Sequence, residues 1–280
     1  MKEILIADSG ATKTDWCVAK GGEILLRFTS NGISPVYQTE DEIAEEIQKN
    51  VYCRLSNHSI DAVYFYGSGC IPEKEVVVGR AVRRLFAVET VEVYSDLIAA
   101  AHALCGCEAG IACILGTGSN SCEWDGKKVV KQVPPLGFIL GDEGSGAALG
   151  KLLVSDALKN QLSPGLKEKL LEQYGLTQAI IIDSVYKHPF PSRFLASFSP
   201  FILGNIEDPT IRRIVGKSFS DFFERNVMQY NYRENKVNFV GSIAFHYAAY
   251  LKDIAAEKGI RIGTIDASPL EGLVRYYASR

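Results

Sequence analysis

In this 280-residue chain the residues best suited to chemistry are Asp8, a carboxylate ending a short apolar run, and the small residues after it. In Asp8-Ser9-Gly10-Ala11-Thr12-Lys13-Thr14-Asp15, Gly10 can take backbone angles closed to other residues. Ser9, Ala11 and Thr12 are small enough to leave main-chain N–H groups open to an anion. Asp8 is placed to hold a hydrated magnesium ion and Lys13 to offset phosphate charge. The same residues would also serve as the polar tip of an ordinary surface hairpin. Two further turns share this composition: Leu115 to Ser121, with Gly116, Thr117 and Gly118, and Val240 to Ala244, with Gly241 and Ser242. In an α/β sheet, ligands sit outside the carboxyl ends of the strands, so three such turns could line one cleft. The first two would grip phosphates, and the third, at a helix N-terminus, would support a nucleoside or phosphate. Phosphoryl transfer also needs a carboxylate to orient or deprotonate the attacking hydroxyl, and Asp96 is the candidate. It follows an apolar strand and precedes an Ala-rich helix, where it could equally be an N-cap. Asp142 and Glu143 have a similar alternative, as acidic residues complementing a helix dipole.

These residues need strands that end at turns, and the sequence supplies them. Ile4 to Ala7 and Trp16 to Ala19 read as a hairpin, and Glu23 to Ser30 as a third strand after Gly21-Gly22. A helix is expected over Thr39 to Leu55, from the spacing of Ile43, Ile47, Val51 and Leu55 and an acidic first turn. A strand over Ala62 to Tyr66, a helix over Glu73 to Phe86, a strand over Val91 to Tyr94 and a helix over Leu97 to Leu104 complete an α/β unit. The pattern then restarts. Ile111 to Leu115 and Asn120 to Trp124 are strands, and Asp125-Gly126 reads as a two-residue turn into Lys128 to Gln132. Gly141 to Gly146 opens a helix reaching about Leu158, and Lys167 to Tyr230 is mostly helical. A strand over Val237 to Val240, a helix from Ile243 to about Lys258, a short strand near Arg261-Ile262 and a final helix from Ser268 close the chain. The expected division is 1–107 and 108–267, with 268–280 packing back on the first part.

Composition narrows the function classes. A net charge of −3 gives no basic field for nucleic acid, and no apolar run of 18 residues appears. With no signal-peptide h-region near Met1, the expected location is cytoplasmic. The seven cysteines show no C-x-x-C and the four histidines no ligand spacing, so buried reduced thiols are expected.

Asp8-Ser9-Gly10-Ala11-Thr12-Lys13-Thr14-Asp15, Leu115-Gly116-Thr117-Gly118-Ser119-Asn120 and Gly141-Asp142-Glu143-Gly144-Ser145, in that order, resemble the motifs of the N-acetylglucosamine kinase group. That group lies within the BadF/BadG/BcrA/BcrD-type ATPases of the actin, sugar kinase and Hsp70 superfamily. The resemblance implies an α/β fold of two ribonuclease-H-like (actin-like ATPase) domains, mixed sheets flanked by helices, with ATP and Mg2+ in the cleft between them. It implies Asp8 as the magnesium aspartate, with Gly10, Thr12, Lys13, Gly116, Thr117 and Gly118 at the phosphates. Gly241 and Ser242 fall on the adenosine side, and Asp96 is the base that accepts the sugar hydroxyl proton. Asn31, Ser68, Asn120, Gly137 and Asp142 resemble sugar contacts. Where those kinases carry Trp-Gly before the Gly-Asp-Glu-Gly-Ser run, this chain has Leu136-Gly137, so an aromatic wall would be missing, and N-acetylmuramate or another amino sugar is compatible with a more open pocket.

The reading that follows is an ATP-dependent kinase of an N-acetylated hexosamine. Its expected partner is a small-molecule sugar, with no nucleic acid and no membrane, and a homodimer is compatible. A second reading is an ATPase that activates a reductase or dehydratase; its cluster cysteines find no evident match. A third is a sugar sensor or assembly protein, and no helix-turn-helix extension precedes the first strand to support a repressor.

Overall fold

The computed structural model describes residues 2–10 and 12–280; Ala11 lies outside the described residues. The chain divides into two compact units. One runs up to Cys107 and resumes over Ser268–Arg280, and the other is Glu108–Ala267.

In the first unit, β1 (Glu3–Ser9), β2 (Lys13–Lys20) and β3 (Glu23–Asn31) form an antiparallel meander. Next come α1 (Glu40–Asn50), β4 (Ile60–Gly67), α2 (Pro72–Arg83), β5 (Thr90–Ser95) and α3 (Asp96–Leu104). The sheet order is β3-β2-β1-β4-β5, with β1, β4 and β5 parallel. Alternation along β1 divides the core. Leu5 and Ala7 pack with Ile43 and Ile47 of α1 and Val78 and Val82 of α2, while Ile6 faces Ala99 of α3 on the other side. Thr39 starts α1 through a reciprocal capping box: its hydroxyl accepts from the Glu42 N–H, and Glu42 accepts from its backbone N–H. α1 stops at Asn50 instead of reaching Leu55. The chain tightens into a 3-10 turn over Tyr52–Arg54 that still keeps Val51 and Leu55 buried, so the apolar spacing persists after the α-helix ends.

The second unit repeats the scheme with β6 (Ala109–Leu115), β7 (Ser119–Asp125) and β8 (Val129–Gln132). The β7–β8 connection is Gly126 to Lys128 and not the expected two-residue turn. Asp125 Oδ1 accepts from the N–H groups of both Lys127 and Lys128 at 2.8 Å, which favours the longer loop. There follow α4 (Gly137–Leu140), α5 (Gly146–Leu158), α6 (Leu166–Tyr174), α7 (Gln178–Tyr186), α8 (Pro191–Ala196), α9 (Ser199–Gly204), α10 (Pro209–Arg225), then β9 (Val237–Val240), α11 (Ser242–His246) and α12 (Ala248–Glu257). β10 (Ile262–Asp266) completes the sheet, which extends further than the expected Arg261-Ile262. Its order, β8-β7-β6-β9-β10, matches the first sheet strand for strand, with β6, β9 and β10 parallel. The expected single helix from Ile243 is two, broken at Tyr247, whose buried hydroxyl donates to Ser199 O at 2.8 Å. The chain ends in α13 (Leu270–Ala278), whose Leu270, Leu273 and Val274 pack against Ile6, Cys17 and Ala99 in the first unit.

Cys17, Cys70, Cys113 and Cys122 are buried and form no disulfide; Cys53 and Cys107 are exposed, contrary to expectation, because each lies in a connection outside the cores. Among the described residues no helix is long and apolar enough to cross a membrane.

Candidate functional site

The ends of β1, β4 and β5 are in register, with Ser9 beside Gly67 and Gly67 beside Ser95. The residues at and just past these ends therefore share one sheet edge: Asp8 and Gly10 from β1, Ser68 after β4, and Asp96 after β5. Ser68 N–H donates to Ser9 O at 3.0 Å, continuing the parallel pairing by one residue. β2 begins and β3 ends at the same edge, which brings in Thr12, Lys13 and Asn31; Lys13 pairs with Asn31. All seven first-unit candidates thus stand together.

Asp96 is not the helix cap. Ser95 caps α3, its hydroxyl accepting from Ile98 N–H, so the Asp96 carboxylate at the first helical position is released from that task. Burial raises its pKa, against the pull of the Leu97 N–H. Asp8 is pushed up to about 7, first by burial and then by the Asp96 and Asp15 carboxylates; Lys13 opposes the shift. Lys13 Nζ is itself 2.9 Å from Asp15. Ser9, which has no assigned role, is buried and locks the turn to the following loop. Its hydroxyl is 2.6 Å from Thr14 Oγ1, and it accepts from Ile33 N–H at 3.0 Å.

In the second unit Ile114 pairs with Val240, so the turns that follow β6 and β9 lie side by side. At Gly241, φ is +119° and a Cβ would stand 2.4 Å from Leu115 O; only glycine permits this approach. Ser242 is exposed and opens α11, which has five residues. Gly116 N–H donates to Gly118 O at 2.9 Å, and the carbonyls of Gly116 and Thr117 accept from Gly146 and Ala147 at 2.8 and 3.1 Å. Ser145 caps the next donor, Ala148 N–H. The N-terminus of α5 is therefore satisfied by the turn itself. Thr117 is exposed, and a Cβ at Gly116 would meet open space.

Asp142 is 8% exposed and left-handed (φ +56°), with Oδ1 accepting from Ser119 N–H at 3.2 Å. A Cβ at Gly118 would stand 3.1 Å from its other oxygen, so the aspartate supports the turn from behind. Burial raises its pKa, the Ser119 N–H lowers it and the Glu143 carboxylate raises it. Asn120 Oδ1 accepts from Ser121 N–H and Gln132 Nε2 at 2.9 and 3.1 Å. Gly137 is exposed at the start of α4, next to Leu136 at 57% exposure, and its carbonyl accepts from Gly141 N–H at 2.8 Å.

Several supporting residues carried no sequence signal. Glu143 is held by Arg225 at 2.8 Å, and Gly144 N–H donates to Ser218 Oγ at 3.2 Å, so α10 grips the loop from 74 or more residues downstream. Glu46 of α1 accepts from both the backbone and side-chain amides of Asn31, each at 3.0 Å. In the sequence it is one of several acids on an ordinary amphipathic helix.

The donor sets suit a magnesium-bound nucleotide in two respects. Among the described residues no cluster of three or more His, Cys, Asp or Glu is arranged for a metal, but magnesium bound with phosphates needs only one or two carboxylates. Asp8, destabilised as an anion by Asp96 and Asp15, is relieved by a divalent cation. The open space at Gly116 beside the exposed Thr117 is a cradle that a larger residue would fill.

No family profile and no curated protein matches the chain. Among solved structures, it is similar to a candidate N-acetylglucosamine kinase from Porphyromonas gingivalis, with 48% identity, a TM-score of 0.96 and 99% of each chain covered. A candidate N-acetylglucosamine kinase from Chromobacterium violaceum is 17% identical, with a TM-score of 0.73 and 99% of each chain covered. A ROK family glucokinase from Streptomyces griseus, in complex with glucose and AMPPNP, is 16% identical with a TM-score of 0.59, covering 98% of this chain and 97% of that one. The last two share the fold.

Proposed function

This chain belongs to the N-acetylglucosamine-kinase-like family of the actin and sugar-kinase superfamily, and we propose that it transfers the γ-phosphoryl group of ATP to a hydroxyl of an N-acetylated hexosamine. The observation that carries this reading is the gathering of Asp8 and Asp96 on one sheet edge, in a chain similar along its whole length to a candidate N-acetylglucosamine kinase.

Asp96 is the general base. Burial raises its basicity, and the Ser95 cap fixes the start of α3 from which its carboxylate projects, so it accepts the hydroxyl proton as the phosphoryl group is transferred. Asp8 is the carboxylate that holds magnesium, with Gly10, Thr12 and Lys13 at the phosphates. Magnesium, when bound, neutralises charge that develops on the transferring phosphoryl oxygens. Gly116, Thr117 and Gly118 offer a second phosphate turn, stiffened by Asp142, and Gly241 and Ser242 support the adenosine side. Asn31, Ser68, Asn120, Gly137 and Asp142 orient the sugar. Leu136 leaves room for a substituent larger than a plain acetamido sugar carries, which keeps the N-acetylmuramate type within the substrate class. The cytoplasm is the compartment where ATP and such sugars meet.

A coupled ADP-release assay with ATP and magnesium tests the reading across N-acetylglucosamine, N-acetylmuramate, N-acetylmannosamine, glucose and a blank. Release that depends on an N-acetylated sugar, and that falls about 10²–10⁴-fold in Asp96→Asn with nucleotide binding retained, is the expected result. Equal release in every well, blank included, would sink it.

A further inference from the structure

Asn31, at the end of β3, is gripped by a single carboxylate. Glu46 Oε1 accepts from the Asn31 backbone N–H and Oε2 from Nδ2, each at 3.0 Å, and Oε1 also accepts from Asn50 Nδ2 at 3.0 Å. The Asn31 carbonyl is held as well, accepting from the hydroxyls of Thr14 and Ser30 at 3.0 Å. Both Glu46 oxygens accept, so the Asn31 amide turns its donor end to them: Nδ2 faces Glu46, and Oδ1 is the opposite end. Among the described residues no group hydrogen-bonds Oδ1, and Asn31 is exposed.

We propose that Glu46 is a positioning residue that fixes Asn31 as a hydrogen-bond acceptor, selecting a ligand that presents an O–H or N–H there. This rests on the reading of Asn31 as a sugar contact. A free asparagine can flip its amide and accommodate a donor or an acceptor equally. Pinned by Glu46, it favours a sugar hydroxyl or an acetamido N–H and opposes a bare ether or carboxylate oxygen. Charge-assisted hydrogen bonds of this kind are stronger than neutral ones and fix geometry before the ligand arrives.

The test is steady-state kinetics with N-acetylglucosamine, ATP and magnesium, with sugar binding followed by calorimetry. Glu46→Ala should raise the sugar KM about three- to tenfold, as for loss of one well-placed hydrogen bond, with kcat and the ATP KM within about twofold. Glu46→Gln keeps one acceptor oxygen and should recover part of the loss. In an Asn31→Ala background, Glu46→Ala should add nothing further to the sugar KM, a result that general loosening of α1 would not produce. An unchanged sugar KM in Glu46→Ala alongside a raised one in Asn31→Ala overturns the inference and leaves the sugar-contact reading standing. A Glu46→Ala effect that persists in the Asn31→Ala background overturns it too. An unchanged sugar KM in Asn31→Ala removes the reading beneath it. Wild-type protein that neither binds nor phosphorylates N-acetylglucosamine overturns the functional reading, and this inference with it.

Discussion

At the scale of single residues, Asp8 shows a site held at the expense of stability. Its carboxyl is pushed up to about 7, whereas an unfolded chain would ionise it near 3.8. Between these values the folded protein holds a proton that the unfolded chain has already lost. Rising pH therefore erodes stability through this window, and the full penalty stands above about 7. Asp8→Asn removes the charge and should raise the melting temperature of magnesium-free protein at pH 8, by a stability gain of the order of a few kcal/mol, while turnover is lost. The gain should shrink as the pH falls toward 4. Thermal melts of both proteins from pH 4.5 to 8.5 decide the matter, and a gain independent of pH would contradict the assignment. The positions of Asp8 and Asp96 at the ends of strands were legible in the sequence because each follows a stretch that reads as a strand and precedes a turn or helix start. The role of Ser95 was not, because either neighbour of a helix start can cap it and only the backbone angles choose. Glu46 and Arg225 were invisible for a different reason: each acts on a residue brought near by tertiary folding.

At the scale of elements, the glycines of the turns divide into two kinds that the sequence does not separate. Gly241 has φ +119° and no room for a Cβ against Leu115 O, whereas Gly116 has open space around it. Gly241→Ala should destabilise the protein by about 1–3 kcal/mol, since strain and a backbone clash coincide. Gly116→Ala should stay within about 0.5 kcal/mol of the parent, yet raise the KM for ATP, because its methyl would project into the cradle. Urea titration beside ATP kinetics separates the two, and equal destabilisation by both would remove the distinction. Periodicity placed most helices, but it could not mark the break at Tyr247. An apolar face runs unbroken through that residue, whose φ of −103° and ψ of 19° interrupt the helix while its hydroxyl donates to Ser199 O.

At the scale of the molecule, the two sheets share one strand order although their sequences do not repeat. The order was readable because strand, small polar turn, strand and tight turn recur twice in the same succession. The last helix is expected to pack back on the first part, although its amphipathic face by itself does not say which core receives it. α13 supplies Leu270, Leu273 and Val274 to the same cluster as Ile6, Cys17 and Tyr66, and Gly272 lies so close to α3 that a Cβ would stand 2.5 Å from Ala103 O. The first unit is thus completed by residues that come last in the chain. Deleting 268–280 uncovers the part of this sheet face that α3 does not shield, over β1 and β2, and one side of α3 itself, which is far more than a single-site cavity removes. Hydrogen exchange on the truncated protein should show lost protection in β1, β2, β4 and α3. β6, β9 and α5, which belong to a core built without α13, should keep theirs. Unaltered protection in β1 and β4 would mean that the first unit stands without its last helix. Uniform loss would mean that the cores do not have separate stabilities. The selective pattern is expected because the cluster that α13 completes contains residues of the first unit alone.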